Sequence, residues 1–216
     1  MSGSRAPDAL WFPGASLGVV MLVTTAFLAF GQFATRDRIA QAQSDDTRQQ
    51  LEQILPTGYA DNNLLTDTLQ LAGPDGAPLT VHRARKQGAL RALLFEMSGY
   101  GYGGRIVLLM AVDVDGRIVG VRVTKHNETP GLGDKIEVAR HDWIRSFDGK
   151  SQQQPAPTRW AVKKDGGDFD QFAGATITPR AVVATVKKGL EFLAAHRAEL
   201  TAEASGEAVP VSGEKP

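Results

Sequence analysis

The chain of 216 residues contains no cysteine. That excludes disulfides, thiolate nucleophiles, iron–sulfur clusters and cysteine-ligated zinc, and it suits a domain held outside the cytoplasm. Neither sign of charge is in excess, since 24 Lys and Arg balance 24 Asp and Glu. Lacking a basic field, the chain is poorly suited to sequence-independent binding of DNA or RNA. Metal-ligand spacing is missing as well. His126, Glu128, His141 and Asp142 match no metal-binding pattern, and surface and turn roles account for them better. A Ser-His-Asp order and a nucleophile elbow are absent, which argues against a hydrolase.

Charge is also absent locally. No charged side chain occurs between Asp8 and Arg36, and inside that gap lies the apolar run ASLGVVMLVTTAFLAFGQF, Ala15 to Phe33. As a helix it is about 28 Å long, enough to cross a bilayer. Trp11 and Phe12 suit the membrane interface. A cleaved signal peptide competes with this reading. The weakly basic amino end, the length of the run and the lack of a small-x-small cleavage site favour a retained anchor. Arg5 and the amino terminus stand on one side, Arg36 and Arg38 on the other, so positive charge leaves the orientation open. The expected organisation is a short segment at 1–13, a transmembrane helix at 14–35, a folded domain at 36–200 and a disordered tail at 201–216.

Within 36–200, apolar residues Ile39, Leu51, Ile54 and Leu55 suit a helix that ends at Pro56-Thr57-Gly58. Strand patterns follow at 79–84, 89–97, 105–112 and 118–124. The third is continuously apolar, as a strand covered on both faces would be. Asp115-Gly116 makes a hairpin turn, and Val119, Val121 and Val123 are expected on one face. A helix is expected from Asp134, with Asp134 as N-cap and Glu137 completing a capping box. Its apolar stripe is Ile136, Trp143 and Phe147. A second helix is expected from Pro179, with the stripe Val182, Val186, Leu190 and Leu193. The sum is an α+β domain: a mainly antiparallel sheet with packed helices, preceded by one N-terminal transmembrane helix.

The stretch GATITP, 174–179, raises the chemical question. With Pro179 opening a helix, Thr178 is the expected N-cap, its hydroxyl serving an orphan N–H. Thr176 lies two residues upstream, near the positive end of the helix, where a phosphate would be favoured. Gly174 and Ala175 leave the approach open. The residues alone admit a phosphate ester and an ordinary capped turn alike.

DQFAGAT, Asp170 to Thr176, resembles the flavinylation motif of the FMN-binding domain family, Asp-x-x-Ser/Thr-Gly-Ala-Thr. With SGYGYGG at 98–104, ETPGLGDKIE at 128–137 and the apolar amino end in the same order, the chain resembles the G-type component of Rnf electron-transport complexes. That component is related to the C-type component of the sodium-pumping NADH:quinone reductase. Ala173 departs from the motif where Ser or Thr is usual.

The resemblance implies FMN held covalently by a phosphoester on Thr176, with Thr178 as the competing acceptor. Asp170, Gly174 and Ala175 belong to the same motif. It also places the two glycine-rich loops at the flavin. Tyr100 and Tyr102 could stack on the ring, as the alternative to being partly buried edges of the core. Thr129, Gly131, Leu132 and Lys135 could line it.

Implied partners are the other subunits of the complex, a magnesium-dependent flavin transferase using FAD, and the membrane. The implied location is the bacterial inner membrane, single-pass, with the C-terminal domain in the periplasm. The chain would be an electron-carrier subunit between ferredoxin and NAD, in a complex that moves ions, and no stand-alone enzyme. Two rival readings are a tethered module binding an anionic ligand noncovalently and a purely structural assembly subunit.

Overall fold

In a computed structural model, residues 11–202 are described. The segments 1–10 and 203–216 lie outside the described residues, as do the side chains of Trp11 and Phe12. The chain divides into two compact units, Met1–Asp46 and Thr47–Pro216. Helix α1 runs Trp11–Ile54. Its segment Gly14–Phe33 has 20 residues, a mean hydropathy of 1.9 and no buried residue. That is long and apolar enough to cross a membrane. The Thr24 hydroxyl is satisfied locally, donating to the Val20 carbonyl at 2.7 Å, as a helix in hydrocarbon requires. The helix stops two residues before Pro56, where the proline disfavours helical geometry in the residue before it.

The second unit is built on an antiparallel sheet in the order β1-β2-β3-β4-β5. The strands are β1 (Thr68–Ala72), β2 (Pro78–Lys86), β3 (Ala89–Tyr100), β4 (Arg105–Asp113) and β5 (Ile118–Lys125). The first of these was not anticipated. It is short, and its side chains are only partly buried, so its sequence carries weak alternation. The turn Pro74-Asp75-Gly76, with Gly76 at φ 75°, was the available signal.

β4 is buried along nearly its whole length. Leu108, Met110 and Val112 face one core, with Val81, Phe95, Val121 and helix α2 (Ile177–Ala195). Leu109 and Ala111 face the other, with Leu51, Ile54, Leu64 and Leu94. The expected single face of Val119, Val121 and Val123 is corrected. Between Ala111 and Val112 the register shifts, so that Gly120 and Ile118 oppose consecutive residues. This bulge turns Val119 to the second core while Val121 and Val123 stay in the first.

The helix expected from Asp134 is corrected too. The segment forms two 3-10 helices, Asp134–Ile136 and Asp142–Phe147. Asp134 lies inside the first and caps nothing; Gly133 holds the cap position without a side-chain bond. Glu137 does not reach back, because its carboxylate is taken by His126 Nε2 at 2.5 Å. His141 caps instead, its Nδ1 accepting from Trp143 N–H at 2.9 Å. Ile136, Trp143 and Phe147 are nonetheless buried together. Their apolar surface is satisfied by the shared core and does not need a continuous α-helix.

Val182, Val186, Leu190 and Leu193 of α2 are buried on the sheet as expected. Gly189 permits the close approach: a Cβ there would lie 2.5 Å from Met110 Sδ.

Phe147 is fully buried, stacked on Phe169 with centroids 4.6 Å apart and edge-on to Trp143 at 5.4 Å. Phe147→Ala is expected to cost about 3–5 kcal/mol, read as a lowered denaturant midpoint of the second unit.

Candidate functional site

Three segments far apart in sequence meet at one acidic side chain. They are the β3–β4 hairpin loop, the loop 126–133 after β5, and the start of α2. Glu128 is 6% exposed. Its Oε1 accepts from Gly103 N–H at 3.0 Å, and its Oε2 accepts from the Thr178 hydroxyl at 2.5 Å. Its own N–H donates to His126 Nδ1 at 3.0 Å. By its place in the sequence Glu128 reads as a surface or turn residue. The available signal was an acidic residue between glycine-rich segments, which is weak without tertiary context.

Helix α2 starts at Ile177, two residues before the expected start. Thr176, half-buried, holds the N-cap position, and its hydroxyl makes no capping hydrogen bond. The expected capping role of Thr178 is corrected. It lies in the first turn, is fully buried and donates to Glu128. Pro179 remains within that turn, where no N–H is needed.

The motif loop is anchored from beneath. Phe169 and Phe172 are buried, Phe172 edge-on to Trp143 at 5.1 Å. Trp143 Nε1–H donates to the Asp170 carbonyl at 2.9 Å. The two phenylalanines are spaced by three, which was the missed signal for an anchored loop. Asp170 points its carboxylate outward to Lys163 at 2.6 Å. Gly174 has φ 80°, a left-handed geometry that favours glycine. Its ideal Cβ position is 3.5 Å from Leu132, which brings the motif turn beside the 129–133 loop. Ala175 packs on the first core.

In that loop Gly131 has φ 79°, and the Thr129 carbonyl accepts from the N–H of Leu132 and of Gly133, each at 3.1 Å. Thr129 is exposed and Lys135 is half-buried. Tyr100 and Tyr102 are 78% and 74% exposed, so they are not partly buried edges of the core. Leu132 and Ile177 are exposed as well. These four side chains lie on the three segments joined at Glu128. Of these, Ile177 directly follows Thr176, and Leu132 lies beside the motif turn at Gly174.

A family model described as an FMN-binding domain matches residues 101–191, a span that reaches all three segments. A Cereibacter sphaeroides protein, named as the G component of an ion-translocating oxidoreductase complex, is 50% identical over 189 residues, covering 88% of this chain and 86% of that protein. The chain belongs to the family of G-type components of ion-translocating oxidoreductase complexes. A Pseudomonas aeruginosa member of the same name is 46% identical over 197 residues, covering 88% and 92%. The solved structure of Shewanella oneidensis NqrC is a distant likeness, aligning over 68% of this chain and 73% of its own at 24% identity and TM-score 0.48.

Arg180, one turn into α2, pairs with Asp165 through two contacts of 2.5 and 2.7 Å. The hydrogen bond from Arg180 holds the Asp165 carboxyl below its usual range. A lowered folded-state value means that the pair stabilises above the unfolded value of about 3.9 and that this is lost as pH falls through the lower value. Asp165→Asn is therefore expected to lower the melting temperature near neutral pH and to match the parent at strongly acid pH. High salt should narrow the neutral-pH difference, because the pair is solvent-exposed.

Proposed function

We propose that this chain is the membrane-anchored flavoprotein subunit of an Rnf-type complex. It carries FMN as a phosphoester on Thr176 and relays electrons between ferredoxin and NAD in an ion-translocating assembly. The observation that carries the reading is the contrast between two threonines. Thr178 is buried and committed to Glu128, whereas Thr176 is only half-buried, with its hydroxyl uncommitted to the helix. The FMN-binding domain match and the names of the G-type relatives support the same reading.

FMN, when bound, supplies the redox chemistry. The chain's residues bind and orient. Gly174 and Ala175 leave the Thr176 hydroxyl approachable, and the first N–H groups of α2 favour phosphate beside it. Tyr100, Tyr102 and Leu132 offer surface for a ring system. Thr129 and Gly131 lie on the facing loop, and Lys135 in the 3-10 helix that follows it. Asp170, exposed at the motif's head and paired with Lys163, would be offered to a flavin transferase once that surface ion pair opens. In that maturation step the Thr176 Oγ–H bond is replaced by an Oγ–P bond, AMP leaves FAD and the proton passes to solvent. A covalent link keeps flavin on a domain facing the periplasm, and Gly14–Phe33 anchors it in the inner membrane.

The test is to co-express the full chain with a flavin transferase, denature it and map its peptides. The expected result is flavin fluorescence and a mass increase of FMN less water on the 168–180 peptide at Thr176, absent from Thr176→Ala. Label on Thr178 would move the site. An unlabelled chain beside a labelled control would favour a noncovalent ligand-binding module. Unchanged ferredoxin:NAD electron transfer in Thr176→Ala would leave only an assembly role.

A further inference from the structure

We infer that Glu128 is the positioning residue of the site, holding the flavin-bearing turn and both glycine-rich loops in one arrangement. The inference rests on the flavin reading above. Its carboxylate bridges the Gly103 N–H and the Thr178 hydroxyl, 25 and 50 residues away. Thr178 is two positions from Thr176, so the bridge sets where the start of α2 lies relative to the hairpin that carries Tyr100 and Tyr102.

The surrounding glycines are shaped to this side chain. A Cβ at Gly101 would overlap Glu128 Oε1 and one at Gly133 would lie 2.7 Å from Oε2, while one at Gly103 would overlap the Asn127 carbonyl just before it. Three glycines of the two glycine-rich loops are thus needed for the approach of Glu128 and its loop.

The backbone of Glu128 is held in turn. Its N–H donates to His126 Nδ1, which leaves Nε2 as the donor to Glu137 Oε1 at 2.5 Å. His126 and Glu137 thus act as the support for Glu128, in place of the surface and capping-box roles that their spacing suggested.

Removing the carboxylate leaves the Gly103 N–H and the buried Thr178 hydroxyl without their partner. A Gln at 128 keeps the shape: its carbonyl accepts from Gly103 and its NH2 donates to the Thr178 oxygen. The experiment compares the full-length parent chain with Glu128→Ala, Glu128→Gln and Thr178→Val, at matched folded fraction by circular dichroism. Three quantities are read: the rate of covalent flavin incorporation, the flavin midpoint potential, and amide exchange of the peptide containing Gly103.

Glu128→Ala is expected to slow incorporation about tenfold or more, speed exchange at Gly103 and shift the potential, with Glu128→Gln restored to near the parent. Parent-like incorporation, potential and exchange in Glu128→Ala would overturn the inference. So would loss of stability alone, with the folded fraction taking up flavin normally. If Glu128→Ala does not fold, Thr178→Val removes one arm of the bridge and carries the same expectation. A parent chain that takes no flavin counts against the flavin reading, and unaltered Gly103 exchange in the variants still decides against the bridge.

Discussion

The sheet of the second unit is covered on both faces, and that constraint organises the rest. β4 lies between two cores, so its buried side chains, Ile106 to Val112, must be apolar and each neighbour must bring a matching layer. One layer is α2 with the 3-10 aromatics. The other is formed with the end of α1 and Leu64. The bulge at β5 serves the same demand, because it turns Val119 toward the second core without removing Val121 from the first. Gly189 completes it by letting α2 lie against Met110. With α2 and β3–β4 fixed by packing, the amino end of the helix and the tip of the hairpin come to the same end of the sheet.

At that end the interior is no longer purely apolar. Phe147, Phe169, Trp143 and Phe172 form a continuous aromatic cluster beneath the motif loop. The loops that meet at this end also share the buried acid Glu128. A buried acidic group is costly unless hydrogen-bonded, and Glu128 has a partner for each oxygen. The loops are therefore held by directional polar contacts at their base while their outer side chains, Tyr100, Tyr102, Leu132 and Ile177, remain exposed.

The strongest periodic and continuous patterns were legible. The four longer strands, the stripe of α2 and the apolar run of α1 were anticipated because burial imposes period, and a span in hydrocarbon imposes hydrophobicity. Local polar contacts were misread. Asp134 with Glu137 has the spacing of a capping box, and Thr178 before Pro179 has the look of an N-cap. In each case a partner distant in sequence competed for the side chain. His126 takes Glu137, and Glu128 takes Thr178. β1 escaped notice because a short edge strand is only half-buried and imposes little pattern.

By itself the sequence determined the apolar helix, the antiparallel α+β class and the family motif with Thr176 as its final residue. These are set by runs and spacings along the chain. Only the tertiary structure decided which threonine is committed, which glycines make room for Glu128, and that Tyr100 and Tyr102 face outward. Those outcomes depend on hydrogen bonds and close contacts between segments separated by tens of residues, and no local pattern encodes which distant group wins the competition for a donor.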